Sequence, residues 1–278
     1  MKHQTFNPSM LAISIVSHGQ GPLIRQLLKD LQPLMHAGAD VLLTLNLPED
    51  ETFIGGFEDS LTVIRNTAPK GFGENHNCAN MQTNRYWFAV LNPDIRCEPS
   101  IFTALAAAHL KAHAGVTAPR VIGTSGHDED SVRYYPSLLR IFMRVWGRLL
   151  DRRLTADYTL DDEKIKVVDW AAGMFLLFKT DDYRRIGGFD TRYFMYLEDA
   201  DICRRLSSTG LPAIVVPAVS VVHDARRATG YSLKHLRWHL ASMVRFLIVA
   251  PWSRPQPALP EQAAVTVNRL TLQSKENN

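Results

Sequence analysis

Three acids fall within four residues in the stretch YFMYLEDADICRRL, residues 193–206: Glu198, Asp199 and Asp201. Aromatic and large apolar residues lead into them, and a basic, helix-like pattern follows. A helix beginning near Glu198 would carry Asp199, Ile202, Cys203 and Leu206 on one face and Glu198, Asp201 and Arg205 on another. Acids favour helix N-termini through capping and the macrodipole by roughly 0.3–1 kcal/mol, which accounts for Glu198 and Asp201. Asp201 with Arg205 at i+4 reads as a surface pair. Neither effect explains Asp199, a carboxylate on the apolar, inward face. A carboxylate held at a cleft by an apolar wall is what a general base needs, a role that contributes about 10²–10⁴-fold.

A second carboxylate, Asp94 in NPDIR, follows an apolar run, with Pro93 fixing the backbone before it. A strand-end acid suits a divalent cation that also holds a diphosphate, since Mg²⁺ takes one or two protein carboxylates and fills its octahedron with phosphate and water. Asn-Pro-Asp is equally a common turn. The segment KGFGENHN offers Gly71 and Gly73 as places where a backbone could approach a nucleotide closely. Its spacing is neither a Walker A loop nor GxGxxG, so neither an ATPase nor a dehydrogenase is favoured. The same residues would serve a plain strand–turn–helix junction, with Asn77 capping or facing solvent.

The elements that must position these groups are legible as alternation. Short apolar, β-branched runs at 11–17, 41–45, 61–65, 86–91, 116–121, 167–170, 174–178 and 213–216 predict strands. Helical spacing predicts helices over 23–34, 100–114 and roughly 232–249. Strands alternating with helices imply an α/β fold with a mostly parallel central sheet flanked by helices. Ligands in such sheets bind beyond the C-terminal strand ends. Ser17, His18, Asn46, the 66–80 segment and Asn92–Asp94 all fall there.

Residues 122–166 are polar apart from one amphipathic stretch and predict an excursion from the sheet. Within it, 140–153 places Ile141, Phe142, Val145, Trp146, Leu149 and Leu150 on one face, flanked by Arg140, Arg144, Arg148 and Arg152. Such a helix suits a membrane interface, and equally a dock on its own domain or a second subunit. The expected division is one domain over 1–225, a helical extension over 226–250 and a loose proline-rich, polar tail over 251–278.

Composition narrows the class. The chain has 278 residues, 46% hydrophobic, with 31 Lys and Arg against 28 Asp and Glu. A net charge of +3 gives no footprint for nucleic acid. Three cysteines without a CxxC argue for a reducing compartment. The first apolar run has seven residues and reads as a strand, not a signal peptide, and no run approaches the ~18–20 residues needed to span a bilayer.

GFGENHN, LNPDI, WAAGMFLLF, GGFDTRYFMYLEDADICRRL and VVHDARR, in this order, resemble the family 2 glycosyltransferases of GT-A fold. Within them the chain is most similar to bacterial L-rhamnosyltransferases of O-antigen and cell-wall linker assembly. The resemblance runs from about Leu11 to Leu247; its acidic block is specific and its N-terminal motifs are weaker. It implies inverting transfer from a nucleotide-sugar donor, dTDP-L-rhamnose first, to a polyprenyl-diphosphate-linked sugar acceptor such as GlcNAc. Asp199 matches the base that deprotonates the acceptor, and Asp94 the acid that meets Mg²⁺ or Mn²⁺ and the diphosphate. His223 lies where relatives place a further metal or phosphate ligand, although a lone strand-end His is often structural. The donor side is expected to comprise Ser17, His18, Asn46, Gly71, Phe72, Gly73, Asn77, Asn92 and Asp94. The acceptor side is expected to comprise Trp170, Gly173 and Glu198, with Trp170 equally suited to a core.

One departure matters: Leu45 stands where many relatives carry an acid that contacts the base or ribose. Either Glu49 or Asp50 substitutes, or base recognition is partly lost. The alternatives are therefore another nucleotide sugar, or a nucleotide-sugar-binding scaffold without turnover. An acceptor of this kind further implies a cytoplasmic protein lying peripherally on the anionic inner face of the bacterial cytoplasmic membrane, with a homodimer as a further expectation.

Overall fold

The computed structural model describes residues 6–140, 157–160, 163–224 and 233–249. Strand β1 (Leu11–Ser17) leads into α1 (Gly21–His36), then β2 (Asp40–Leu45) and β3 (Leu61–Arg65). Helix α2 (Phe72–Asn80), β4 (Trp87–Leu91), β5 (Ile95–Arg96), α3 (Ile101–Ala112) and β6 (Val116–Gly123) follow. The later part comprises β7 (Val132–Arg133), β8 (Lys166–Val168), β9 (Trp170–Ala171), β10 (Phe175–Lys179), α4 (Thr180–Arg185), α5 (Glu198–Ser208), β11 (Ala213–His223) and α6 (Leu233–Val244). A π-helical turn, Arg245–Val249, continues α6.

Among the described residues the central sheet is nine-stranded, ordered β3-β2-β1-β4-β10-β6-β11-β5, with β8 on β11. Its first four strands are parallel, as the βα alternation predicts. Beyond them the sheet is mixed: β10 runs antiparallel to both β4 and β6, while β11 returns parallel to β6. Side chains alternate across it with the period of two that strands impose. Leu11, Ile13 and Ile15 of β1, with Trp87, Ala89 and Leu91 of β4, pack beneath α1 and α3. Ala12, Phe88 and Val90 point the other way, into a second core with Tyr183, Phe189 and the buried face of α5. Two filled faces make the strand ends the part of the sheet left for a ligand.

One strand runs longer than its sequence suggests. Pro217 reads as a stop after 213–216, because proline cannot donate to a ladder. The structure absorbs it in a register shift between Val216 and Ser220, and β11 continues to His223. There His223 pairs with Ile95 of the two-residue β5, which sets it beside Asp94.

Of the predicted interfacial helix, only Arg140 belongs to the described residues; 141–156 lie outside them, as does the tail over 251–278. Arg140 stacks over Tyr134 at 4.1 Å and lies 3.8 Å from Asp157.

Candidate active site

A cleft of about 490 Å³ opens beyond the ends of β1 and β4 and is closed on its far side by the start of α5. It brings together His18, Phe72, Asn92, Asp94, Trp170, Gly173, Glu198 and Asp199 from the sequence-predicted set. These come from segments nearly 200 residues apart.

The approach to α5 is strained. Tyr196 and Leu197 both hold left-handed backbone, at φ 72° and 64°, immediately before the helix. A non-glycine residue there costs roughly 1–3 kcal/mol and persists where surrounding structure enforces it, commonly at functional sites. The turn delivers Asp199 into the cleft. Its Oδ2 accepts from the Gly173 N–H at 3.0 Å and its Oδ1 from the Ala200 N–H at 2.8 Å. Burial raises the Asp199 pKa above the ordinary carboxylate range, opposed by these two N–H donors.

Glu198 is 5% exposed, and its Oε2 is buried without a hydrogen-bond partner. Burial, then the neighbouring charge of Asp199, raises its pKa well above the ordinary value. Of the pair, Asp199 has backbone donors that favour its anion, and Glu198, with the neighbouring charge against it, is pushed toward the neutral acid. Here the facial reading of the sequence needs correction, because Glu198 does not share an outer face with Asp201. Asp201 is itself buried at 2% and is no surface pair. It holds Arg204 at 3.0 Å and Arg205 at 2.7 Å, and Arg205 donates onward to the carbonyls of Ile186 and Gly188. Residues 186–190 and Phe246 cover that side of the helix, which periodicity within α5 cannot reveal.

At the opposite wall, Asp94 Oδ2 lies 3.1 Å from His223 Nε2, and His223 Nδ1 lies 2.6 Å from Glu129 Oε2. Asp94 Oδ1 is buried and has no partner. The bonds to Asp94 and Glu129 push the His223 imidazole up to about 9. A divalent cation fits this donor set. The orphaned Oδ1 offers an oxygen that a hard cation accepts, and His223, held by Glu129, would offer Nε2 on giving up its proton and its bond to Asp94. Among the described residues no group of three His, Cys, Asp or Glu forms a cage. The protein would thus contribute two groups and leave the rest of the shell to phosphate and water.

Several predicted donor residues build the cleft without facing it. Asn46 is fully buried and clamps the following loop, with Nδ2 donating to the Lys70 carbonyl at 2.9 Å and Oδ1 accepting from the Lys70 N–H at 2.8 Å. Ser17 is also fully buried, its Oγ accepting from the Gln20 N–H at 3.3 Å. Asn77 faces neither the cleft nor solvent. Its amide spans the Phe189 backbone, donating to the carbonyl at 2.8 Å and accepting from the N–H at 3.0 Å, and Tyr183 Oη donates to it as well. Gly71 and Gly73 serve packing: a Cβ would stand 2.6 Å from the Phe194 carbonyl oxygen and 2.5 Å from Phe189 Cβ, respectively. Gly173 does belong to the site, since a Cβ there would press on the Phe72 ring at 2.9 Å. His223 is not part of the cleft lining and stands beside Asp94, its Nε2 3.1 Å from Oδ2.

The Leu45 side chain is buried in the core and has no access to a ligand. Of its two proposed substitutes, Asp50 is occupied by the Thr52 N–H and hydroxyl at 2.9 and 3.1 Å. Glu49 reaches the Gly19 N–H at 3.4 Å, beside His18, and is the better placed.

Among the cleft residues the sequence reading missed are His76, Tyr196, His239 and Arg133. His76 is buried under the floor, bonded to Ser14 Oγ at 2.8 Å and pushed down to about 3 by desolvation, so it is neutral. Tyr196 and His239 come from the strained turn and from α6. Arg133 arrives on β7, whose register sets Arg133 opposite Trp170 of β9. No local signal marks Arg133, because its strand is two residues long and lies in the polar excursion.

No protein-family model matches the chain. Rhamnosyltransferase WbbL of Escherichia coli (strain K12) is 30% identical over 256 residues, covering 86% of this chain and 92% of that protein. The N-acetylglucosaminyl-diphospho-decaprenol L-rhamnosyltransferase of Mycobacterium tuberculosis (strain ATCC 25618 / H37Rv) is 30% identical over 257 residues, covering 86% and 84%. Among solved structures, GalNAc-T7 with UDP, GalNAc and Mn²⁺ matches with a TM-score of 0.61 at 14% identity, over 88% of this chain and 48% of that one. The mannosyltransferase PcManGT from Pyrobaculum calidifontis, in complex with GDP-Man and Mn²⁺, matches with a TM-score of 0.58 at 15% identity, over 90% and 67%. At such identities the structural likeness speaks for a shared GT-A fold.

Proposed function

Since this chain belongs to the rhamnosyltransferases of GT-A fold, we propose that it moves L-rhamnose from dTDP-L-rhamnose, with inversion, to a polyprenyl-diphosphate-linked sugar, GlcNAc first among them. The observation that carries this reading is Asp199, an anion held by two backbone donors, in the same cleft as Asp94. The acceptor hydroxyl gives its proton to Asp199 as its oxygen forms a bond to the sugar C1, and the C1–diphosphate bond breaks on the opposite face. The nucleoside diphosphate leaves with the bonding electrons, so the anomeric configuration inverts. Mg²⁺ or Mn²⁺ held by Asp94 and His223 would neutralise charge on that diphosphate, and the two solved relatives above carry Mn²⁺. Phe72 and Trp170 wall the cleft and keep water from competing with the acceptor.

A donor panel tests the reading. Calorimetry should show dTDP-rhamnose bound more tightly than UDP- and GDP-sugars, with turnover on a prenyl-diphosphate GlcNAc acceptor. Preferential turnover of another nucleotide sugar would reassign the donor; binding without any turnover would make the chain a scaffold.

Attachment to an anionic membrane surface belongs to the same proposal. No helix among the described residues is long and apolar enough to cross a membrane. Helix α6 and its π turn nevertheless expose Leu233, Leu236, Leu240, Val244 and Ile248, between 52% and 80% open, at spacings that make one stripe. Lys234 and Arg237 lie beside it. The helix is fixed to the cleft by the Tyr196–His235 hydrogen bond at 2.7 Å and the Phe194–Trp238 stack at 4.6 Å. An apolar stripe with basic flanks suits a helix lying in an interface, and a lipid-linked acceptor requires the cleft to face one. Sedimentation with anionic liposomes is expected, weakened by salt and by Leu236→Asp with Leu240→Asp. A stable dimer that ignores liposomes would assign the stripe to a second copy.

A further inference from the structure

Among the described residues the cleft lining holds three acids, Asp94, Glu198 and Asp199, and a single arginine or lysine, Arg133. On the transfer reading above, on which this inference rests, the cleft must admit two diphosphates, one on the donor and one on the acceptor. The Asp94 and Asp199 carboxylates repel both unless each meets a cation. The donor's diphosphate has the Asp94 wall and its divalent cation. We propose that Arg133, laid on the indole of Trp170, forms a subsite for the acceptor's diphosphate.

The placement carries the assignment. Arg133 pairs with Trp170 across the β7–β9 ladder, and three residues beyond Trp170 the Gly173 N–H holds Asp199. Arg133 therefore stands on the base's wall of the cleft, not on that of Asp94. Its guanidinium lies 5.4 Å from the Trp170 ring centre, and Trp170 is fixed in turn by its Nε1–H donating to the Tyr134 carbonyl at 3.1 Å. Nε is anchored on Asp130, at 3.1 Å from its carbonyl oxygen and 3.0 Å from its carboxylate. Among the described residues no partner holds Nη1 or Nη2. The anchored stem leaves a planar two-nitrogen fork, the shape that meets phosphate oxygens bidentately. The side chain is 34% exposed, so the fork is reachable and still partly shielded from water. A second role is open to the same charge, since Arg133 also favours the ionised form of Asp199; the test must separate the two.

The full-length protein is compared as wild type, Arg133→Ala and Arg133→Lys with two acceptors, a short-prenyl diphosphate-linked GlcNAc and an uncharged phenyl GlcNAc. Binding is read by calorimetry and transfer by turnover. Arg133→Ala should weaken binding and raise KM for the diphosphate acceptor about 10- to 100-fold, the range for a charge-assisted hydrogen bond. The loss with phenyl GlcNAc, which carries no diphosphate and reads only the support of Asp199, should be much smaller, and donor affinity should fall little. Arg133→Lys, which keeps charge without the fork, should fall between. Equal losses with both acceptors would reassign Arg133 to support of Asp199, and a fall in donor affinity would move it to the donor side; either overturns the subsite. If wild type binds the diphosphate acceptor yet transfers no sugar to either acceptor, the transfer reading fails, and the binding comparison still decides Arg133.

Discussion

Asp199→Asn is expected to lower turnover by about 10²-fold or more while leaving donor affinity within twofold, the signature of losing a general base. The amide occupies the same space but cannot take a proton. It also offers one acceptor oxygen where the carboxylate gives one each to Gly173 and Ala200. One of those N–H groups loses its partner, so a small fall in melting temperature should accompany the kinetic defect. The wild-type pH profile provides a second readout. Because burial raises the Asp199 pKa, the base gains its proton and kcat falls at a pH above the ordinary aspartate value of about 3.9. That acidic limb should vanish in the variant. Turnover at the wild-type rate would remove Asp199 from the reaction and turn attention to Glu198, the other carboxylate at this end of the cleft.

Asp94→Ala should be nearly as damaging, but through the donor. Removing it takes away the buried Oδ1 and the Oδ2 that faces His223, leaving His223 to hold a cation alone. Donor affinity is expected to fall at least tenfold and turnover about 10²-fold, a loss on the scale of the charge stabilisation a metal supplies. Excess chelator should bring wild type to the same level, and added Mn²⁺ or Mg²⁺ should rescue wild type but not the variant. A milder loss is expected for Glu129→Gln, which touches the cation only by orienting His223; such partners typically account for 10–100-fold in metal affinity. Full activity of wild type in excess chelator would refute the metal role of this wall.

How much of this was legible before the structure varies by residue, and the reasons are physical. The parallel half of the sheet was readable because β1, β2 and β4 are short, largely buried runs and α1 shows its own stripe. The start of α5 was readable too, since acids cluster where a helix begins. The sidedness of α5 was not. Helical spacing assigns residues to faces, but which faces are buried depends on what packs there, and residues 186–190 and Phe246 bury Asp201 from a direction its own period cannot announce. The glycine segment misled for a related reason. A glycine marks a close approach, yet only the fold shows that the approaching group is the backbone of Phe194 and the side chain of Phe189.

By itself the sequence determined the α/β alternation, and it marked the strand ends as the expected place of the site with Asp94 and Asp199 as its expected carboxylates. These are properties of local period and residue type, which a chain carries wherever it folds. Only the tertiary structure decided that His223 reaches Asp94 through a strand continuing past Pro217, that Asn46 and Asn77 brace the cleft without facing it, and that Arg133 stands on the wall of Asp199. Each of those rests on a pairing between distant segments. Such contacts arise from register and packing across the whole fold, which no window of sequence contains.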